Sequence, residues 1–125
     1  MRLLLDTHIL LWALNGDPRL GRAESLILDG GNQVAVSTAS YLELAIKASL
    51  GKIAADLAEV RAAVAESGFD ELPISGAHAE ALAALPWHHK DPFDRILVAQ
   101  ALAEPLRLIT ADAQVARYSD TVILV

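Results

Sequence analysis

Short apolar runs alternate with segments of helical periodicity along this chain, and this alternation restricts its fold more than any other feature. Five apolar runs predict buried or edge strands: residues 3–5, 34–36, 72–74, 106–110 and 122–125. Pro73 lies inside the third run, and a proline is tolerated in a sheet only at an edge or a strand end. Strands separated by helices are typical of an α/β fold, in which helices cross over between strands.

Helix start and stop signals divide the rest of the chain. Asp17-Pro18 and Asp91-Pro92 each combine an N-cap residue with a proline at the first helical position. Gly30, Gly51 and Gly68 follow apolar periodic segments as stop signals. The predicted helices begin at these aspartates, after Ser37 and near Asp56, and a further helix covers residues 77–85.

The size of the chain and its lack of cysteine narrow the class of protein. A chain of 125 residues is long enough for one domain and too short for two ordinary ones. It contains no cysteine, so disulfides and thiolate metal sites are excluded. No apolar run approaches the roughly 18 residues that a membrane helix needs. We therefore expect a soluble cytoplasmic protein without a membrane segment.

Charge and hydropathy bear on possible partners. The net charge of −6 argues against tight, nonspecific RNA binding, since phosphates are held mainly by lysine and arginine. It does not exclude an RNA substrate, because bound divalent cations change the local charge of an acidic site. The apolar fraction of 54% exceeds what one small core needs, so some apolar surface is expected to meet a partner.

Four acidic side chains interrupt or directly follow apolar segments. They are Asp6, Glu43, Asp94 and Asp112. A carboxylate near a core is costly unless something pairs with it, and four of them suggest a shared cation. Hard oxygen donors favour Mg²⁺ or Mn²⁺. Ligands bind at the carboxyl ends of strands in open α/β sheets, so the acids that follow strands are expected to converge.

Each acid also has a purely structural interpretation. Asp6 and Asp112 fit helix N-caps, and Glu43 fits a solvated surface ion pair with the lysine four residues later. Asp91 fits the N-cap of its helix, which leaves Asp94 at the third helical position for the functional role. Position alone does not separate these alternatives.

Other polar residues near the acids are weaker candidates. Three hydroxyl side chains could either orient metal-bound water or cap helices: Thr7, Ser37 and Thr110. His88 and His89 are adjacent, so their rings point apart and are not expected to chelate one ion. Four basic side chains near the motifs could hold RNA or be ordinary surface charges: Lys47, Lys52, Lys90 and Arg95.

The chain resembles the PIN-domain ribonucleases, and among them the VapC-type toxins of bacterial toxin–antitoxin pairs. The matching segments are LLLDTHILLWAL at 3–14, VSTASYLELAIKASLGKI at 36–53, HHKDPFDRILVAQALAE at 88–104 and LITAD at 108–112. The resemblance implies a single PIN domain over residues 1–125, with a three-layer α/β/α fold around a mainly parallel sheet. It also implies that Asp6, Glu43, Asp94 and Asp112 are the metal-binding catalytic acids.

The same resemblance implies an activity and partners. The expected reaction is hydrolysis of RNA phosphodiesters by water that Mg²⁺ or Mn²⁺ activates, carried out by the toxin of a toxin–antitoxin pair. The expected partners are an RNA substrate, a cognate antitoxin protein and a second copy of the chain.

Two other classes of function remain as alternatives. A phosphoacceptor signalling domain has similar length and a Mg²⁺ pocket, but it needs a second acid beside the first-strand acid. It also needs a lysine near the end of the chain. Here Thr7 and His8 follow Asp6, and no lysine occurs after Lys90, so neither requirement is met. A non-catalytic binding module with the PIN fold is the other alternative, and the intact set of acids disfavours it.

Overall fold

The computed structural model describes residues 1–125 and contains one five-stranded sheet in which all neighbouring strands run parallel. The strands are β1 (Arg2–Leu5), β2 (Gln33–Ser37), β3 (Asp70–Leu72), β4 (Arg107–Thr110) and β5 (Ile123–Leu124). Their order across the sheet is β3-β2-β1-β4-β5, so β1 lies at the centre. The α/β prediction is confirmed, and the sheet is parallel throughout.

Seven α-helices connect the strands. They are α1 (Thr7–Asn15), α2 (Ala23–Leu28), α3 (Thr38–Ser49), α4 (Leu57–Glu66), α5 (Gly76–Ala83), α6 (Pro92–Ala103) and α7 (Ala113–Ala116), with a short 3-10 helix at Pro18–Leu20. None of these helices is both long enough and apolar enough to cross a lipid bilayer.

The three leucines of β1 pack against both faces of the sheet, because successive side chains of a strand point in opposite directions. Leu3 and Leu5 join the core formed with α1, α2 and α4. Leu4 joins the second core, which β4, α6 and α7 complete. All three leucines are fully buried, as expected for a central parallel strand. Helices therefore cover both faces of the sheet, giving the three-layer α/β/α fold.

Two predicted elements differ in detail from the structure. The helix predicted from Asp17 onward is divided, because Gly21 adopts a positive φ of 54° and ends the 3-10 helix. α2 then begins at Ala23. The edge strand predicted at 72–74 lies at Asp70–Leu72 instead, and it does lie at an edge of the sheet. Pro73 falls just beyond the strand, where its missing N–H breaks no strand pairing.

Candidate metal centre

The four acids predicted from the sequence come from four elements at the carboxyl edge of the sheet. Asp6 directly follows β1 and Asp112 follows the adjacent strand β4 by two residues. Glu43 lies in α3, which begins immediately after β2, the other neighbour of β1. Asp94 lies in the first turn of α6. Parallel strands end at one edge, so residues distant in sequence lie there. The ligand atoms of Asp94 and Asp112, together with His89, lie within 4.8 Å of one another, and Asp6 and Glu43 are not part of this group.

Asp6 is only 4% exposed and both of its carboxylate oxygens accept hydrogen bonds. One accepts from the backbone N–H of Ile9 at 2.8 Å, which makes Asp6 the N-cap of α1. The other accepts from the Thr110 hydroxyl at 2.5 Å. Burial raises the pKa of Asp6 despite these bonds, and the charge of Glu43 raises it further. Asp6 forms no ion pair with any basic side chain.

Glu43 is equally buried, at 4% exposure. The alternative that placed its ion pair with Lys47 at the solvated surface is therefore wrong about the environment of Glu43. The pair itself exists, since Lys47 Nζ lies 2.7 Å from Glu43 Oε2. The Thr7 hydroxyl donates to Glu43 Oε1 at 2.7 Å. The pKa of Lys47 is raised chiefly by its bond to Glu43, with smaller contributions from the charges of Asp91 and Asp94. Lys47 is thus the cationic side chain that faces the acids.

Asp94 occupies the position in α6 that the sequence predicted, and Asp91 caps this helix. Asp91 Oδ1 accepts from the backbone N–H groups of Phe93 at 2.9 Å and Asp94 at 3.2 Å. Burial raises the pKa of Asp94 to about 6, and the charges of Asp91 and Asp6 raise it as well. A hydrogen bond from His89 acts in the opposite direction and lowers it.

Asp112 caps α7, because its Oδ1 accepts from the backbone N–H of Gln114 at 2.8 Å. It is connected to Asp6 through one hydroxyl. Thr110 Oγ1 accepts from the backbone N–H of Asp112 at 3.1 Å and donates to Asp6. The Asp112 side chain is 43% exposed and is the most accessible of the four acids.

His89 lies among the acids, although sequence reasoning set both histidines aside. Its Nε2 is 2.9 Å from Asp94 Oδ2 and 3.5 Å from Asp112 Oδ2. The two adjacent histidines do point apart, as expected, and the His88 ring packs against the Tyr118 ring instead. The sequence does place His89 five residues before Asp94 and just before the start of α6. A residue at that position can fold back onto the first turn of the helix, and this spacing could have identified His89.

The donor set fits a divalent cation such as Mg²⁺ or Mn²⁺. Four carboxylates offer hard oxygen ligands at one edge of the sheet, and these are the ligands that both ions prefer. Burial and mutual repulsion disfavour the ionised forms of Asp6 and Asp94, which a divalent cation would reverse. The type of ligand and the electrostatics of the acids therefore both favour a bound divalent cation.

Arg95 is not free to hold RNA, which corrects its place among the basic candidates. It is 6% exposed and donates to the Pro86 carbonyl at 2.8 Å and to the Tyr118 hydroxyl at 3.1 Å. Its guanidinium also lies 3.9 Å from the centre of the Trp87 ring. Lys52 and Lys90 are exposed at the surface.

Comparisons with known proteins bear on the fold and the family of this chain. The sequence model described as the PIN domain matches residues 3–120. Comparison with curated proteins returned no match. Among solved structures, VapBC2 from Rickettsia felis, bound to a DNA fragment from its promoter, is similar with a TM-score of 0.72 and 20% identity. That likeness covers 100% of this chain and 98% of the other.

Two further solved structures are similar. A toxin–antitoxin complex from Klebsiella pneumoniae has a TM-score of 0.65 and 27% identity, over 97% of this chain and 95% of the other. VapBC-1 from nontypeable Haemophilus influenzae has a TM-score of 0.68 and 18% identity, over 100% and 97%. Since the family match spans almost the whole sequence and the fold agrees, this chain belongs to the PIN domain family.

Proposed function

We propose that this protein is a Mg²⁺- or Mn²⁺-dependent endoribonuclease that acts as the toxin of a toxin–antitoxin pair in the cytoplasm, and that residues 1–125 form its single PIN domain. The observation that carries the proposal is the burial of Asp6 beside other acidic side chains. This carboxylate is almost fully buried, forms no ion pair with a basic side chain, and adds its charge to those of Glu43 and Asp94. Such a cluster is costly unless a cation joins it. Membership of a nuclease family supports the reaction class.

Each acid has a distinct proposed role. Asp6, Glu43 and Asp94 hold the main cation, and Asp112 serves a second ion or orients water. When bound, the cation would increase the acidity of a water molecule and neutralise negative charge on the phosphodiester. Hydroxyls orient the two most buried acids: Thr110 fixes Asp6, and Thr7 fixes Glu43.

The proposed partners rest on the relatives and on one exposed helix face. Solved structures similar to this chain are toxin–antitoxin complexes, which supports a cognate antitoxin. Leu42 and Ile46 of α3 and Leu50, its C-cap residue, recur every four residues and are each about half exposed or more. An exposed apolar stripe is typical of a protein interface. It favours contact with the antitoxin or with a second copy in a homodimer.

The proposal is tested by RNA cleavage with purified protein free of antitoxin. We expect single-stranded or loop RNA to be cut in Mg²⁺ or Mn²⁺ and left intact when EDTA is added. Asp6→Asn and Asp94→Asn should each reduce the cleavage rate by about a hundredfold or more, because each removes a charged ligand. Asparagine retains the capping oxygen of Asp6, so the fold should persist.

Asp56→Asn is the matched control, since Asp56 is also an N-cap aspartate but caps α4 and is exposed. It should cleave RNA at the wild-type rate. Cleavage that survives EDTA, or that survives either variant in the metal centre, would refute the assignment. A folded protein that binds metal but cleaves no RNA would support the non-catalytic alternative.

A further inference from the structure

His89 is the one side chain with a nitrogen ligand that reaches the acids, and no pattern in the sequence assigned it a role. We propose that His89 ligates the second divalent cation together with Asp94 and Asp112, and that its nitrogen makes this position prefer Mn²⁺ to Mg²⁺. This inference rests on the proposed function, because it assumes that the acids bind a divalent cation.

The distances suit a shared ligand position. His89 Nε2 lies 2.9 Å from Asp94 Oδ2 and 3.5 Å from Asp112 Oδ2. One ligand atom from each of the three residues lies within 4.8 Å of the other two. An octahedral ion with ligands about 2.1 Å away holds its ligand atoms roughly 3–4.3 Å apart. A small contraction of these partly exposed side chains therefore brings all three atoms onto one ion.

The segment before α6 holds the His89 ring in place. The Tyr118 hydroxyl lies 3.2 Å from the backbone nitrogen of His88 and 3.0 Å from that of His89. Arg95 donates to the same hydroxyl and to the Pro86 carbonyl, tying the segment to α6. A backbone fixed at these points determines on which side of the chain the His89 ring lies. The ligand is thus preorganised rather than recruited from a free loop.

The chemistry of imidazole gives the expected selectivity. Mg²⁺ takes oxygen ligands and keeps much of its water, whereas imidazole nitrogen binds well to transition metals. A position with two carboxylates and one imidazole should therefore gain more affinity for Mn²⁺ than for Mg²⁺. The alternative is that His89 only holds the two acids together through hydrogen bonds, without contacting the ion.

Mn²⁺ binding, followed by electron paramagnetic resonance, separates these two roles. In wild-type protein we expect nitrogen modulation from a directly coordinated imidazole in the electron spin echo of bound Mn²⁺. His89→Gln should lose this modulation and bind Mn²⁺ about tenfold or more weakly. Its Mg²⁺ affinity, measured by competition with Mn²⁺, should change less, because glutamine offers an oxygen.

His88→Gln is the matched control, since the His88 ring packs against Tyr118 with ring centres 5.0 Å apart. It should keep both the nitrogen modulation and the Mn²⁺ affinity. Wild-type protein that binds Mn²⁺ without nitrogen modulation would overturn this inference and leave the proposed function intact. Equal losses in the two variants would also overturn it, because the effect would then come from the segment. Failure of wild-type protein to bind Mn²⁺ or Mg²⁺ would overturn both proposals.

Discussion

Each of the two most buried acids accepts a hydrogen bond from a threonine hydroxyl of another element. Thr110 at the end of β4 donates to Asp6, and Thr7 at the start of α1 donates to Glu43. A hydroxyl orients a carboxylate without neutralising its charge. These bonds therefore fix the geometry of both acids. Lys47 already balances charge on Glu43, whereas the charge of Asp6 is left for a bound cation to balance.

The raised pKa of Asp94 gives a pH dependence of the metal-free protein. Its pKa is about 6 in the folded state against 3.8 as the ordinary value, so the folded state binds the proton more tightly. The stability from this group is complete below pH 3.8 and is lost as the pH rises through about 6. Above pH 6 we expect a loss of about 1 kcal/mol, after allowing for solvent screening of a side chain that is 21% exposed.

Urea unfolding in EDTA at pH 5 and pH 7 measures this effect. Wild-type protein should be less stable at pH 7 than at pH 5, and Asp94→Asn should show a smaller difference. Asp112→Asn is a useful comparison, because the Asp112 side chain is more exposed. An Asp94→Asn variant with the full wild-type pH dependence would contradict this explanation.

At the level of the structural elements, the residues at helix N-termini are also the candidate metal ligands. Asp6 and Asp112 each cap a helix, and Asp91 caps the helix whose first turn carries Asp94. In a parallel sheet, the helix that follows a strand begins at the carboxyl edge, where ligands bind. The capping and functional interpretations of Asp6 and Asp112 are therefore compatible, which is why position along the chain did not separate them.

Two capping aspartates with different surroundings allow a test of this double role. Asp56→Ala should cost about 1 kcal/mol of stability through the lost cap of α4. Asp91→Ala loses the same kind of cap but also removes a charge that raises the pKa of Asp94. In metal-free protein at pH 7 it should therefore cost less than Asp56→Ala.

Urea unfolding of both variants at pH 5 and pH 7 provides the measurement. The advantage of Asp91→Ala should shrink at pH 5, where Asp94 is largely protonated. Equal costs for the two variants at both pH values would show that the charge of Asp91 does not act on the centre.

For the whole molecule, the topology of the sheet places buried and partly buried acids at its carboxyl edge. Asp6 follows the central strand β1. The two strands beside β1 are β2, which leads into the helix α3 that carries Glu43, and β4, which ends two residues before Asp112. Folding must therefore bring like charges together, and a bound cation should stabilise the whole fold by mass action.

Thermal unfolding with and without metal tests this consequence. At a Mn²⁺ concentration about 100 times its Kd, wild-type protein should gain about 2.7 kcal/mol, or roughly 10 °C in Tm. Asp6→Asn should unfold at a higher temperature than wild type in EDTA, because a buried charge is gone, and should respond weakly to Mn²⁺. An equal response of both proteins would place the stabilising ion elsewhere.

Elements that depend on neighbouring residues could be predicted from the sequence. The leucine run of β1, the Asp91-Pro92 start of α6 and the acids at element ends follow local rules of periodicity and capping. These rules also predicted the α/β class. The divided helix after Asp17 was missed, because local pattern does not say that Gly21 leaves helical geometry.

Which side chains lie together at the site depends on tertiary contacts. Thr110 reaches Asp6 across 104 residues, and Arg95 is used to hold the segment that carries His89. Such pairings depend on how helices pack on the sheet, and neighbours along the chain carry no information about that packing. A charge pattern can therefore indicate that a cation is needed, while the groups that surround it are set by contacts formed only when the sheet and its helices assemble.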